Sequence, residues 1–327
     1  MMSLMSESYG YKRVWNASNV AFCAAIALIG AFVLGTCGAS ASEIRPQDAA
    51  AQGAARDARI VSIGGAVTEI LFALGVGDKV VAVDQTSQFP AAARALPQVG
   101  YARALSPEGV LSAGPSLIIA IEGAGPKSTL DVLKAASVPV VIVPEVHTPE
   151  GVVEKIRAIA KAVGEDARGR ALADAVRADF AAVEAAVTAL PTRPKAVFVL
   201  AASGGSATVG GTGTSADAML RLAGATNAMA SVHGYKPAVD EAAMAADPDA
   251  VVVMKGSGQE LPPETIFALP AFMGTPAARD RRHVAMWGSY LLGFGPRTPQ
   301  AVLDLARALH PGARLADLPP RAWADGQ

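Results

Sequence analysis

The chain has 327 residues, a formal net charge of −1 from 28 Lys+Arg and 29 Asp+Glu, and 51% apolar but only 5% aromatic residues. The balanced charge lacks the basic field that a nucleic-acid partner demands, and the length exceeds the roughly 100–200 residues of one domain. Both cysteines, Cys23 and Cys37, lie near the N-terminus.

Lys12 and Arg13 precede an apolar run from Val20 to Leu34, and small residues follow up to Ala39-Ser40-Ala41. A positive n-region, a short apolar core and an Ala-x-Ala site describe a cleavable secretory signal peptide over residues 1–41. The run is shorter than the roughly 20 apolar residues of a membrane-spanning helix. Leu34-Gly35-Thr36-Cys37 only loosely resembles a lipoprotein box. Cleavage after Ala41 removes both cysteines, so the released chain has neither a disulfide nor a thiolate ligand and depends on a packed core. Residues 42–57 are Ala-rich without apolar periodicity and read as a linker.

Short β-branched runs begin at Arg59–Ile63 and recur at Val80–Val83, Leu117–Ile121 and Val140–Val143, with helical patterns between them at Ala66–Leu74 and Thr129–Ala136. This alternation predicts a parallel sheet with crossover helices over residues 58–147. Thr148, Pro149 and Glu150 form a helix start, with N-cap, first-turn proline and first-turn acid. A helical pattern follows to Leu190, broken at Gly164 and stopped by Pro191 and Pro194. Residues 148–190 are therefore expected to be a stiff helical spine. Runs at Ala196–Leu200, Val251–Met254 and Val284–Met286 predict a second α/β lobe over 191–327. Gly204-Gly205 and Gly210-Gly211-Thr212-Gly213-Thr214 lack a Gly-Lys-Ser/Thr ending. They are read as a close-approach loop at the floor of a cleft, not a phosphate loop.

The halves echo each other. Gly100-Tyr101 is followed by Glu108, Pro115 and an apolar run; Gly234-Tyr235 is followed by Glu241, Pro248 and another. The fold class expected is α/β, with two Rossmann-like lobes of mostly parallel sheets, a long rigid helix joining them, and a ligand cleft between. In open α/β sheets that crevice lies beyond the carboxyl ends of the strands, so both tyrosine loops face it.

Tyr101 stands in Gly100-Tyr101-Ala102-Arg103-Ala104-Leu105-Ser106-Pro107-Glu108-Gly109. A phenol with a guanidinium two residues on is equipped to offer an anionic oxygen to ferric iron. Read from residue type alone, it is equally a packed loop tyrosine. Arg103 suits a carboxylate bidentately or is a solvated arginine; Tyr235 and Lys236 hold the corresponding place in the second lobe. His147, His233, His283 and His310 show no zinc-helix spacing, and His147 and His233 read best as satisfied loop histidines. Glu108 and Glu241 each sit at a helix start, where an acid complements the dipole.

From Arg59 to Pro311 the chain resembles the rigid-helix substrate-binding proteins of ABC importers for haem, siderophores and cobalamin. It is most similar to the periplasmic haem-binding branch. The resemblance rests on Ser62-Ile63-Gly64-Gly65 with Glu69-Ile70-Leu71, the Tyr101 stretch, Gly213-Thr214-Ser215-Ala216-Asp217, Ala223-Gly224-Ala225-Thr226-Asn227, Gly234-Tyr235-Lys236-Pro237 and Gly295-Pro296-Arg297-Thr298-Pro299. It implies a non-enzymatic periplasmic monomer of iron acquisition that binds haem as cargo. Tyr101 is then the axial iron ligand, a type haem iron accepts, with Arg103, Tyr235, Lys236 and Arg297 around the ligand. Glu108 and Glu241 become the acids that dock onto a membrane permease dimer with its ATPase, downstream of an outer-membrane haem receptor. The alternatives are a siderophore or cobalamin carrier of the same fold and, remotely, a nucleotide-using α/β enzyme, for which no nucleophile–base pair is present.

Overall fold

A computed structural model describes residues 58–238, 246–256, 258 and 260–324. The expected signal peptide, the linker and Glu241 lie outside these residues. No described helix is long and apolar enough to cross a membrane.

The first sheet is parallel, in the order β2-β1-β3-β4, from β1 (Ile60–Ile63), β2 (Val80–Val83), β3 (Leu117–Ile121) and β4 (Val140–Val143). Helix α1 (Gly65–Ala73) follows β1 directly, α2 (Ala91–Arg94) and α3 (Pro107–Leu111) lie before β3, and α4 (Lys127–Ala135) links β3 to β4. Alternation along the strands splits the core. Ile60 and Ile119 face one apolar cluster; Val61, Ile63, Ile118 and Ala120 face another.

Helix α5 (Pro149–Ala162) starts as its sequence requires, the Thr148 hydroxyl accepting from Gly151 N at 3.0 Å. Gly164, at φ +73°, ends it. Helix α6 (Asp166–Thr188) then runs for 23 residues, about 35 Å at 1.5 Å per residue. Leu172, Val176, Phe180, Val183 and Val187 form its buried stripe. Gly169 lets α6 settle on α5, since a Cβ there would stand 2.2 Å from Ala160 Cβ.

The second sheet is mixed, in the order β10-β9-β5-β6-β8 with β7 also on β5. Its strands are β5 (Lys195–Ser203), β6 (Ser206–Gly210), β7 (Thr226–Asn227), β8 (Tyr235–Pro237), β9 (Ala250–Lys255) and β10 (His283–Trp287). Around them lie α7 (Ser215–Leu222), α8 (Pro263–Phe267), α9 (Pro276–Arg279), α10 (Gly288–Leu292) and α11 (Thr298–Leu309). Ala196, Phe198, Ala250 and Val252 join the same cluster as Ile60 and the stripe of α6, while Val197, Val199, Val251 and Val253 face a separate one. One apolar core is thus continuous from the first sheet through the spine to the second.

The two glycine runs expected to form one loop take different places in the fold. Gly204 and Gly205, both at positive φ, turn an antiparallel hairpin between β5 and β6. Gly211 is a close-approach glycine, as a Cβ would lie 2.1 Å from Val232 O. Gly210–Thr214 are not among the residues that line the cleft described below, although Ser215, which follows them, is.

His310, at the end of α11, is 6% exposed; Nε2 lies 3.2 Å from Ala223 O and Nδ1 is a buried atom without a hydrogen-bond partner. Burial pushes its imidazole below the ordinary 6.5, against a smaller upward pull from Ala223 O. A depressed base favours the fold while neutral, so this contribution is complete above the ordinary value and is lost as pH falls through the depressed one. His310→Gln is expected to flatten the loss of urea stability between neutral and mildly acid pH. An unchanged slope would assign that loss to other groups.

Candidate functional site

The carboxyl ends of the first sheet deliver Gly64, Glu122 and, beyond β4, Glu145 and His147 to a cleft of about 1190 Å³. Its opposite wall carries Tyr235, Met254, Lys255 and Trp287 from the second sheet. The volume is above the roughly 300–1,000 Å³ usual for small-molecule sites.

The Tyr101 loop is pinned at both ends. Val99 N donates to Val83 O, extending the edge of β2, while Leu105 N donates to Gly125 O and Gly125 N to Ala102 O. Ala102 and Leu105 are buried anchors; Tyr101 and Arg103 stand exposed and both line the cleft. Tyr101 opens a turn, Ala104 N donating to its carbonyl at 2.8 Å, and stands 45% exposed on the wall. Beyond it Ser106 caps α3, accepting from Gly109 N at 3.0 Å, and Glu108 is exposed in the first turn. Beneath this wall Asp84 is fully buried, and its two oxygens accept from Gly64 N, Thr86 N and the Thr86 and Ser87 hydroxyls. Satisfying a buried carboxylate four times fixes the strand ends that carry the loop.

Tyr235 reaches the cleft from β8. Its ring packs edge-on to Phe198 at 6.3 Å and its hydroxyl lies 3.1 Å from Ser215 Oγ. Lys236 does not join it. Successive residues of a strand point to opposite faces, and Lys236, paired with Val209, is absent from the cleft wall. Arg297 lines the cleft, yet its guanidinium is engaged: Nε and Nη2 lie 3.1 and 2.6 Å from the two Glu69 oxygens. It also stacks 3.5 Å from the Phe89 ring. Sequence reading placed Arg297 toward the ligand; the structure gives it first to a buried carboxylate 228 residues away.

His147 is on the wall, its ring 4.9 Å from Phe294 and its Nε2 3.6 Å from Glu145 Oε1. Burial pushes its imidazole below the ordinary range, opposed by Glu145, which favours a neutral ring at neutral pH. His233 packs on Gly213, and His283 bonds Leu261 O at 2.9 Å. Sequence reading passed over Trp287 and Lys255. The available signal was position, since each ends a β-branched run where a parallel sheet opens onto its crevice.

Residues 60–291 match the family described as Periplasmic binding protein. The chain belongs to this family. As a periplasmic binding protein it is similar in structure to "Periplasmic heme-binding protein RhuT from Roseiflexus sp. RS-1 in apo form", at 38% identity and a TM-score of 0.75 over 79% of this chain and 100% of that one. It is also similar to "Periplasmic heme-binding protein BhuT in complex with two hemes", at 42% identity and a TM-score of 0.74 over 77% of this chain and 98% of that one. In sequence it is 27% identical over 256 residues, 77% of this chain and 80% of the other, to the uncharacterized ABC transporter substrate-binding lipoprotein YvrC of Bacillus subtilis. The family is one of extracytoplasmic binding proteins, and the two-lobe α/β architecture expected from the strand pattern is theirs.

Proposed function

We propose that this periplasmic binding protein carries haem in the cleft between its sheets, with Tyr101 as a tyrosinate ligand to ferric iron. The observation that carries this reading is the Tyr101 loop, which holds a phenol and a guanidinium together on the wall of a cleft large enough for a porphyrin. Ferric iron favours phenolate over phenol, and a nearby cation helps the anion form. The haem-binding structural relatives support the ligand class. A single anionic ligand on an exposed loop suits a carrier that must also let go. The ABC-transporter relative supports delivery as the task of this carrier: exposed Glu108 and its counterpart Glu241 would meet basic residues of a permease dimer, one acid from each lobe. A cleavable signal peptide over 1–41 and lobes at 58–147 and 191–327 about the 148–190 spine complete the proposal.

The test is a hemin titration of the purified protein followed by its visible spectrum. Wild type is expected to give a saturable ferric high-spin spectrum. Tyr101→Ala is expected to lose that spectrum and at least about tenfold in affinity, the equivalent of 1.4 kcal/mol. A wild type that fails to saturate with hemin refutes the haem reading, and one that saturates with cobalamin or a ferric siderophore instead replaces it. An unchanged spectrum in Tyr101→Ala removes that residue as the ligand.

A further inference from the structure

Trp287 and Lys255 end adjacent parallel strands, β10 and β9, and are register partners. Register partners in a sheet direct their side chains to the same face, and both residues lie on the cleft wall opposite the Tyr101 loop. Trp287 is 58% exposed, although an indole is among the largest apolar surfaces a protein can bury. The Lys255 ammonium rests 5.3 Å from its ring centroid.

The ring's seat is built by the backbone. Gly256 follows β9 at φ +76°, and a Cβ there would lie 2.1 Å from Trp287 Cζ3. Two independent requirements, a left-handed backbone and room for the indole edge, therefore exclude a side chain at this position. An indole held by a glycine yet left in solvent at a cleft is arranged to receive a partner.

The basic residues of the cleft narrow the choice further. Arg297 is engaged by Glu69 and Arg321 by Asp179. Of the others on the wall, Arg94 and Arg103 belong to the first lobe, and Lys255 is the cation that the second sheet contributes.

We infer that Trp287 and Lys255 form a second recognition surface within the cleft, Trp287 stacking on the conjugated ring of the ligand and Lys255 pairing with one of its carboxylates. This rests on the haem reading above and adds a role that Lys236 does not fill. Lys255 leaves the indole face when the ligand arrives, so that one position holds the lysine beforehand and the macrocycle afterwards. The lysine supplies a point charge for the carboxylate, and the indole supplies sequence-distant but rigid stacking area.

The experiment compares wild type, Trp287→Ala, Trp287→Phe and Lys255→Gln, titrated with hemin and with hemin dimethyl ester, whose carboxylates are blocked. Visible spectra at saturation are recorded alongside affinities. Trp287→Ala is expected to weaken both ligands by about tenfold or more, and Trp287→Phe to restore most of the loss because a stacking face returns. Lys255→Gln is expected to weaken hemin by roughly tenfold while leaving the ester unchanged, as a charge-assisted bond to a carboxylate requires. The ferric spectrum should persist in all four proteins, since Tyr101 is untouched. Affinities within about twofold of wild type for Trp287→Ala and Lys255→Gln, with that spectrum intact, would overturn this surface and leave the haem reading standing. Equal weakening of hemin and ester by Lys255→Gln would overturn the carboxylate pairing. Absence of a saturable spectrum in wild type would refute the haem reading and this inference with it.

Discussion

Glu69→Ala is expected to destabilise the protein by about 3–5 kcal/mol, the usual consequence of stripping one partner from a buried ion pair. The Glu69 and Arg297 side chains are 6% and 10% exposed, and the guanidinium grips both carboxylate oxygens. Removing the acid leaves a cation against Phe89 and 5.1 Å from the Tyr290 ring, with little water to replace its partner. The pair joins α1 behind the first sheet to the turn that opens α11, so it ties one half of the molecule to the other. Urea denaturation of Glu69→Ala, Arg297→Ala and the double variant measures it. The double variant should lose clearly less than the sum of the singles, because the second substitution removes a charge already unpaired. Simple additivity would mean that the two groups do not stabilise one another. Burial also raises the Glu69 carboxyl above its ordinary 4.5, despite the lowering by Arg297 and Lys155. A raised acid contributes its full stability below the unfolded value and loses it as pH rises through the folded one. Glu69→Gln should therefore remove a decline in stability with rising pH, whatever it does to the mean.

Lys155→Met is expected to cost about 3 kcal/mol or more, for a related reason. The Lys155 side chain is fully buried; its ammonium lies 2.8 Å from Glu145 Oε1 and 3.1 Å from Phe294 O. Phe294 has a φ of +47° and is 1% exposed, a backbone conformation that a bulky residue holds only when its surroundings insist. Methionine fills the space of the stem but abandons a carboxylate and a carbonyl that Lys155 had satisfied. The measurement is again a denaturant midpoint. A loss under about 1 kcal/mol would show that water or backbone relaxation satisfies those oxygens, as at ordinary surface pairs. The same substitution frees the loop that sets His147 against Phe294, so any haem-linked effect should accompany the stability loss.

Much of the architecture was legible because it depends on local rules. β-Branched runs marked β1, β2, β3, β4, β9 and β10 within a residue or so of their observed limits, since a buried parallel strand must be apolar on both faces. Thr148 announced α5 by capping chemistry, and Gly164 marked the break between α5 and α6. The site was partly legible because Tyr101 and Arg103 are two residues apart on one short loop, although it is a turn, with Ala104 N donating to Tyr101 O, that leaves both exposed while Ala102 and Leu105 anchor it. Where two local readings competed, pattern misled. Gly204-Gly205 looked like part of a loop leading to α7, but the short alternating stretch after it pairs antiparallel with β5 as β6, and pairing partners are not written locally. Lys236 followed Tyr235 in sequence and so seemed to share its role, until β8 turned the two to opposite faces.

The sequence by itself determined the strand–helix alternation, the helix starts and stops, and the placing of a phenol and a guanidinium on one loop. These depend on residues within a few positions of one another. Only the tertiary structure decided that Arg297 answers to Glu69, that Lys155 holds Phe294, and that Trp287 and Lys255 face Tyr101 across the cleft. Each of these joins segments far apart in the chain, and which charge is buried beside which is set by how the sheets and spine pack together. Burial then decides whether a charged residue becomes a strut or remains available to a ligand.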